Sequence, residues 1–333
     1  MDPPRQTQAS LPVLPDDVFI TLADIEAARR RIAPFVRRTP VLTSEVLDEA
    51  SGGRLSFKCE NLQVIGAFKA RGASNAVFAL SDEEAARGVA THSSGNHGSA
   101  VAYAARRRGI PAYIVMPEGV ARPKAAQVER LGATITYCAP TIPAREAAAA
   151  AIIAETGARL IHPYDDLAVM AGQGTAALEL IEEAGELDLV MTPVGGGGLI
   201  SGVSTAVKAK LAAARVIGAE PTGADDAARS FAAGRLIPLE RANTIADGLR
   251  GSLSPATFAH IRRGVDEIVT VSEAAIVEAM RALWETLKVV VEPSAAVTYA
   301  AILEGKLDVG GKRVGIILTG GNVDLDRLPW AAE

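Results

Sequence analysis

The chain has 333 residues, of which 49% are hydrophobic and 22% charged, so it has the composition of a soluble globular protein large enough for two lobes. A net charge of −5 with only 4% aromatic residues argues against a nucleic-acid-binding surface. No apolar stretch approaches the roughly 18 residues of a membrane span, and two cysteines do not make a disulfide framework, so we expect a cytoplasmic protein without membrane contact.

Short β-rich runs alternate with helical runs after a proline-rich start. Residues 1–16 contain four prolines and no apolar segment, which predicts a mobile tail. The predicted strands cover 55–59, 89–92, 112–116, 134–137, 187–194, 216–219 and 314–318, and the predicted helices cover 21–33, 99–108, 123–130, 143–155, the stretch from a glycine run to 211, and 272–289. Such alternation is typical of parallel sheets flanked by helices. We predict a two-lobed α/β fold, with a small mobile lobe at 75–160 and a large lobe at 17–74 and 161–333.

Lys69 follows the first of these strands. It lies in the segment Gly66-Ala67-Phe68-Lys69-Ala70-Arg71-Gly72-Ala73, which reads as a glycine-containing loop leading into a helix. A lysine at a helix start near a strand end is a candidate for a Schiff base with an aldehyde cofactor, provided that other segments supply the rest of the site.

A run of four glycines, Gly195, Gly196, Gly197 and Gly198, joins a strand to a helix. Glycines allow close approach of the backbone to a ligand, and the helix start attracts an anion, so the run predicts a phosphate site. No Gly-Lys-Ser/Thr follows, and Ile200 and Ser201 occupy the places where a dinucleotide-binding loop needs its third glycine. A plain tight turn and a nicotinamide site with Glu220 as ribose ligand are the alternatives.

Two more strand ends carry short polar side chains. The loop His92-Ser93-Ser94-Gly95-Asn96-His97-Gly98 can hold a carboxylate through backbone N–H groups and hydroxyls, although Ser93 could equally cap a helix and His97 could be structural. The segment Leu318-Thr319-Gly320-Gly321-Asn322 offers a hydroxyl that could bond a ring nitrogen, or a simple glycine turn.

These four segments stand in the order and approximate spacing of the serine/threonine dehydratase family. That family comprises pyridoxal-phosphate enzymes of fold type II, the tryptophan synthase β-like group. The resemblance covers about 21–330 and is strongest to the branch of serine racemases and 3-hydroxyaspartate dehydratases, through Val89 to Gly98 and through Thr319-Gly320-Gly321-Asn322-Val323-Asp324-Leu325.

The resemblance implies a role for each cofactor residue. Lys69 would hold pyridoxal phosphate and later act as the base at the substrate α-carbon, and Phe68 would pack beside the pyridine ring. Asn96 would bond the ring hydroxyl, Thr319 would face the ring nitrogen in place of the more usual Ser or Cys, and Gly195, Gly196, Gly197 and Gly198 would cradle the phosphate.

The resemblance also implies a substrate site. Ser93, Asn96 and His97 would receive the substrate carboxylate, and Ser94 would stand opposite Lys69, where a second proton donor permits racemisation. Arg145 matches a racemase residue that engages substrate when the small lobe closes, with an ordinary surface role as its alternative. Tyr137 and Lys124 lie on the same lobe and are candidates to join Arg145 in the substrate site, where a basic pair would favour a substrate with a second carboxylate.

A metal site follows from the same resemblance. Glu220, Ala224 and Asp226 match family positions that would bind Mg²⁺, or Ca²⁺ or Mn²⁺, in a structural or activating role. Two carboxylates around a loop suit a cation that prefers oxygen ligands, whereas two carboxylates alone could simply be solvated.

The expected reaction is α,β-elimination of water from serine, threonine or 3-hydroxyaspartate, which yields a 2-oxo acid and ammonia. Serine racemisation by Lys69 and Ser94 is the near alternative, and a nicotinamide oxidoreductase and a non-catalytic amino-acid-binding module are the distant ones. The resemblance further implies a homodimer. Because the chain ends soon after 319–322, we expect no C-terminal regulatory domain of the kind found in biosynthetic threonine dehydratases, which favours a catabolic role.

Overall fold

Ten strands form two sheets within the residues that the computed structural model describes, 19–93, 95–120 and 122–331. The larger sheet has six strands in the order β1-β2-β10-β7-β8-β9, and the smaller has four in the order β5-β4-β3-β6. Every pair of neighbouring strands is parallel except β1 with β2. The predicted fold class is therefore confirmed.

The strands are β1 (Val41–Leu42), β2 (Arg54–Cys59), β3 (Val89–Thr91), β4 (Ala112–Pro117), β5 (Thr134–Cys138), β6 (Arg159–Leu160), β7 (Leu189–Pro193), β8 (Arg215–Pro221), β9 (Glu267–Val271) and β10 (Arg313–Leu318). The helices are α1 (Leu22–Ile32), α2 (Glu45–Ser51), α3 (Lys69–Ala79), α4 (Asp82–Ala86), α5 (Asn96–Arg108), α6 (Arg122–Arg130), α7 (Ile142–Thr156), α8 (Leu167–Ala184), α9 (Gly198–Lys210), α10 (Asp226–Ala233), α11 (Pro255–Gly264), α12 (Glu273–Leu287) and α13 (Pro293–Leu303).

Local sequence explains where several helices begin. Thr21 accepts a hydrogen bond from the Asp24 backbone N–H, and the Asp24 carboxylate accepts one from the Thr21 backbone N–H, so a capping box starts α1. Ser272 accepts from Ala275 N–H at the start of α12, where the sequence predicted a helix.

Two long helices, α8 and α13, have no counterpart among the predicted elements. Most of α8 from Val169 to Leu180 is buried, and so is α13 from Ser294 to Ile302. A helix buried on most sides lacks the apolar stripe that marks an amphipathic helix, and for that reason its periodicity is weak. Helix α8 packs against α3, which begins at Lys69, and against α9.

The smaller sheet lies within the predicted small lobe, since its strands run from residue 89 to 160. Helix α3 crosses the predicted boundary at 74/75, because it begins at Lys69 in the segment that follows β2 of the larger sheet, while its residues Ala76 and Val77 pack in the core of the smaller one. The division into lobes stays a prediction, and the predicted tail at 1–16 lies outside the described residues.

Every helix within the described residues is too short or too polar to cross a lipid bilayer. The expected cytoplasmic location stays a prediction.

Candidate active site

A cavity of about 570 Å³ opens between the two sheets, at the carboxyl ends of their strands. Its walls come from the segments that follow β2, β3, β7 and β10, which sequence reasoning had singled out. Parallel strands bring their carboxyl ends to one edge, and this geometry collects segments that are 250 residues apart in the chain (Lys69 to Thr319). The lining includes Phe68, Lys69, Ser93, Asn96, His97, Arg145, Gly195, Gly196, Gly197, Gly198 and Thr319.

Lys69 is the first residue of α3, as predicted, and its ammonium group lies in this cavity. Its Nζ donates a hydrogen bond to the Pro163 carbonyl oxygen at 2.7 Å and lies 5.1 Å from the centre of the Phe68 ring. The Phe68 backbone N–H donates to the Thr319 carbonyl oxygen at 3.0 Å. The loop before Lys69 is therefore tied directly to the end of β10, which places Lys69 and Thr319 in the same site.

The pocket changes the chemistry of this lysine. Burial lowers the pKa of Lys69 from 10.5 to about 8. A neutral amine is the form that attacks a carbonyl carbon and accepts a proton, so a lysine with this pKa has an appreciable reactive fraction near neutral pH.

We expect the acetylation rate of Lys69 in the unliganded protein to rise about tenfold per pH unit below pH 8 and to level off above it, since only the neutral amine reacts. Competitive labelling with acetic anhydride, read by mass spectrometry, measures this rate with exposed Lys306 as internal reference. A rate that still climbs tenfold per unit from pH 9 to 10 would contradict the lowered pKa.

The four glycines have no room for side chains. A Cβ atom on Gly196 would lie 2.2 Å from the Tyr164 ring, and one on Gly198 would lie 2.9 Å from the Tyr164 Cα. Gly197 has φ +86°, in the left-handed region that favours glycine. Helix α9 begins at Gly198, and the first N–H groups of a helix lack acceptors within it. The run therefore fits the predicted phosphate cradle, and that role stays a prediction.

Three polar side chains of the cavity wall bond one another. Asn96, the first residue of α5, donates from Nδ2 to Glu292 Oε1 at 2.9 Å, and Asn322 Nδ2 donates to Asn96 Oδ1 at 2.8 Å. Glu292 precedes α13, and its backbone N–H donates to the Gly320 carbonyl oxygen at 2.9 Å. The Asn96 amide is thus held from both ends by the larger sheet's loops.

Ser93 and His97 border the same cavity. Helix α5 begins at Asn96 rather than at the predicted Ser99, and Gly95 occupies the N-cap position, so Ser93 does not cap this helix. His97 is buried, its Nε2 lies 2.9 Å from the Ile161 carbonyl oxygen, and its Nδ1 has no partner among the described residues. Burial, with Lys69 nearby, lowers the pKa of His97 well below 6.5, so the imidazole is neutral. Ser94 lies outside the described residues.

Arg145, on α7, reaches the cavity from the smaller sheet. Its Nε is buried and has no hydrogen-bond partner among the described residues. Tyr137, in contrast, is 49% exposed and is not part of the cavity wall. The expectation that Tyr137 joins the substrate site is not supported by its position.

The proposed metal residues form a separate group. Glu220, at the end of β8, is fully buried and accepts hydrogen bonds from Ala227 N–H at 3.3 Å and Ala228 N–H at 2.8 Å. Asp226 Oδ2 accepts from Leu253 N–H at 3.1 Å, while Asp226 Oδ1 is buried without a partner among the described atoms. Burial raises the pKa of both carboxyl groups, that of Glu220 well above 4.5.

Sequence reasoning missed several residues of the cavity wall: Pro163, Tyr164, Glu292, Ser294 and 247–251. Tyr164 follows the two-residue strand β6, which is too short to give a periodic signal. Glu292 precedes a proline at the start of a helix, which marks a helix boundary but does not indicate a cavity.

A family model described as "Pyridoxal-phosphate dependent enzyme" matches residues 32–320. This chain belongs to the pyridoxal-phosphate-dependent enzymes.

Individual members of this family are closely similar over most of their length. The chain is 52% identical to the β-hydroxyaspartate dehydratase of Paracoccus denitrificans, over 93% of this chain and 98% of that protein. It is 50% identical to the serine racemase of Arabidopsis thaliana, over 92% and 94%. The structure of maize serine racemase superposes with a TM-score of 0.90 at 48% identity, covering 92% of this chain and 94% of that one. The predicted family resemblance is confirmed.

The cavity residues fit the cofactor that gives the family its name. Lys69 provides an amine of lowered pKa. The glycine run lines the cavity with backbone atoms that no side chain of its own covers, and buried Thr319 places a hydroxyl directly after β10. Pyridoxal phosphate is thus the cofactor of this family member, whereas the role of each residue toward it stays a prediction.

Proposed function

We propose that the chain is an ammonia-lyase that removes water from 3-hydroxyaspartate and thereby produces a 2-oxo acid and ammonia. The predicted enzyme class, a lyase acting on hydroxy amino acids, agrees with the high identity to a β-hydroxyaspartate dehydratase. When bound, pyridoxal phosphate supplies an electron sink for the negative charge that develops at the substrate α-carbon.

Residues of the cavity wall would carry out the separate steps of the elimination. Lys69 Nζ takes the α-proton in its neutral form, which the lowered pKa makes available. Ser93, Asn96 and His97 hold the α-carboxylate at the start of α5, where backbone N–H groups and the helix dipole favour an anion. The β-hydroxyl takes up one proton and leaves as water, so the α-proton and the hydroxyl are lost together as one water molecule. The unsaturated amine that remains takes up water after release and yields the 2-oxo acid and ammonia.

Arg145 carries the choice of substrate. It lines the cavity, its Nε has no hydrogen-bond partner among the described residues, and a guanidinium group suits a carboxylate. The start of α5 accounts for one carboxylate, and Arg145 supplies a charged donor for a second. Serine and threonine have only one carboxylate, whereas 3-hydroxyaspartate has two.

Serine racemisation is the second candidate, and it is favoured by the identity of 48–50% to plant serine racemases. It would need a proton donor on the face opposite Lys69, the role that the family resemblance implies for Ser94. Both activities share the removal of the α-proton by Lys69 and differ in the step that follows.

A panel of both enantiomers of serine and threonine and all stereoisomers of 3-hydroxyaspartate tests the proposal. Oxo-acid release and enantiomer conversion are followed together, with and without Mg²⁺. We expect kcat/KM for elimination to be highest with a 3-hydroxyaspartate isomer. The Arg145→Ala variant should lower that preference over serine by about 10- to 100-fold, the range for a hydrogen bond to a charged group.

Arg159→Ala serves as the matched control, because Arg159 is an exposed arginine in strand β6 of the smaller sheet and does not line the cavity. Equal effects of both variants on the substrate preference would refute the role of Arg145. Racemisation faster than elimination with every substrate would favour the second candidate.

We also propose that Glu220, Asp226 and the Ala224 carbonyl oxygen bind Mg²⁺ or a similar cation, with water as the remaining ligands. The support is geometric: two buried carboxyl groups lie at the end of β8 and the start of α10, and Asp226 Oδ1 has no partner among the described atoms. The cation would stabilise the loop from 221 to 226 without touching the reaction. A homodimer is a further proposal, based on the family resemblance alone.

A further inference from the structure

We propose that Asn322 is a positioning residue that makes Asn96 present an N–H donor, rather than a carbonyl oxygen, to the ring oxygen of the bound cofactor. The inference rests on the proposed place of Asn96 beside the cofactor ring. It assigns Asn322 a task in cofactor binding that is separate from any contact with substrate.

The orientation of the Asn322 amide is set by two acceptors. Its Nδ2 donates to the Ile65 carbonyl oxygen at 2.8 Å and to Asn96 Oδ1 at 2.8 Å, so both of its hydrogens are used. If the amide were flipped, its oxygen would face two other oxygens and both hydrogen bonds would be lost. The Asn322 side chain therefore has one favourable orientation in this site.

The backbone around Asn322 reinforces this orientation. Ile65 has φ 59°, a left-handed conformation that is costly for a β-branched residue, and its carbonyl oxygen is the one that receives Asn322. Gly66 follows with φ 74°, and a Cβ atom there would lie 2.6 Å from Asn322 Oδ1. The Gly321 N–H donates to the Gly66 carbonyl oxygen at 2.9 Å. The chain thus accepts local strain in the loop before Lys69 where it meets Asn322.

Asn96 inherits its orientation from this arrangement. Its Oδ1 faces the donor on Asn322, and its Nδ2 faces the Glu292 carboxylate at 2.9 and 3.2 Å. A flipped Asn96 amide would set its oxygen against the carboxylate and its NH₂ against the Asn322 NH₂. Both contacts of Nδ2 go to the two oxygens of one carboxylate, which a single hydrogen can serve, so the proposal assigns the second hydrogen to a ligand in the cavity that this side chain lines.

The consequence is chemical. An N–H donor stabilises a ring oxygen that has lost its proton, whereas a carbonyl oxygen at the same place would require the protonated hydroxyl. Asn96 starts α5, which packs on the smaller sheet, while Ile65, Glu292 and Asn322 belong to loops of the larger one. Loops of the larger sheet therefore set which end of the Asn96 amide, on a helix that packs on the smaller sheet, points toward the cofactor.

The test is the Asn322→Asp variant, which keeps the shape of the side chain but removes both hydrogens. Two readouts are measured without turnover: the dissociation constant of pyridoxal phosphate, and the ratio of its visible to near-ultraviolet absorbance when bound. We expect about tenfold weaker binding, equal to about 1.4 kcal/mol, and a lower ratio, because the ring oxygen holds its proton more often. Asn322→Ala is measured in parallel and should shift the ratio in the same direction, so the test survives if the aspartate variant does not fold.

Asn61→Asp is the matched control. Asn61 lies beside Gly321 and donates from Nδ2 to the Val290 carbonyl oxygen at 3.0 Å, so the substitution introduces the same charge nearby and removes a similar hydrogen bond. We expect a loss of thermal stability without a change in the absorbance ratio. If Asn322→Asp also loses only stability and keeps the wild-type ratio and affinity, Asn322 has no positioning role. A wild-type protein that binds no pyridoxal phosphate would instead refute the proposed function itself.

Discussion

Replacing Lys69 with alanine is expected to lower kcat/KM for elimination by at least about 10⁴-fold, because the variant loses both its covalent hold on the cofactor and its base at the α-carbon. The loss should appear with every substrate of the panel, since all of them share the α-proton. Steady-state assays of oxo-acid release measure it. The visible absorbance of the purified protein should disappear together with the activity.

The same substitution is expected to leave the fold intact. The folded-state pKa of Lys69 lies at about 8, below its ordinary value of 10.5, so the folded protein binds the lysine proton less tightly than the unfolded chain does. This pKa difference lowers the free energy of unfolding. The whole reduction applies below pH 8, and it diminishes as the pH rises from about 8 to 10.5. At pH 7 the alanine variant should therefore melt at the same temperature as the wild-type apoenzyme or above it. A variant that retained wild-type activity would refute the role of Lys69.

Replacing Arg71 with methionine is expected to lower the free energy of unfolding by about 3–5 kcal/mol, the usual cost of removing one partner from a buried ion pair. Arg71 is fully buried two residues after Lys69, and its guanidinium bonds both oxygens of Glu60 at 2.8 Å and both oxygens of Glu179 at 2.8 and 2.6 Å. Lys58 Nζ still bonds Glu179 at 2.7 Å in the variant, but Glu60 loses its main counter-charge. Urea denaturation of the apoenzyme measures the change.

Two controls separate charge from geometry in this cluster. Arg71→Lys keeps the positive charge but not the planar fork that bonds two carboxylates at once, so it should recover only part of the stability. Arg281→Met removes an exposed arginine that pairs with Glu285 at 3.6 Å, and it should cost less than about 1 kcal/mol. A loss for Arg71→Met that is no larger than for Arg281→Met would show that the buried cluster contributes nothing to stability.

The buried cluster illustrates what sequence reasoning overlooked. Arg71 was part of the quoted Lys69 segment, yet nothing in its neighbours along the chain indicates a buried ion pair with Glu60 and Glu179. The pairing with Glu179 spans 108 positions and depends on α8, a helix without a polar face along most of its length. Arginines with the same local context are usually exposed, and only the packing of α3 against α8 decides otherwise.

Several residues of the cavity wall were singled out from the sequence. Lys69, the glycine run and Thr319 drew attention because each follows a predicted strand, and the resemblance to a known family then gave each of them a predicted role. Glu292 was missed, although it lines the cavity and bonds Asn96, because it lies at a helix start without a preceding strand. Strand ends are visible in a sequence through local composition, whereas the approach of two distant loops is not.

The sequence by itself determined the fold class and the segments that line the cavity, because buried strands and glycine-rich junctions are local features, and the resemblance of four motifs indicated the family. Only the tertiary structure decided the protonation of Lys69, the orientation of the Asn96 amide and the exclusion of Tyr137 from the cavity. These properties depend on burial and on hydrogen bonds between loops such as 65–69, 292 and 319–322, which are far apart in the chain. Desolvation and directional bonding act through space, so they take definite values only once the two sheets have brought those loops together.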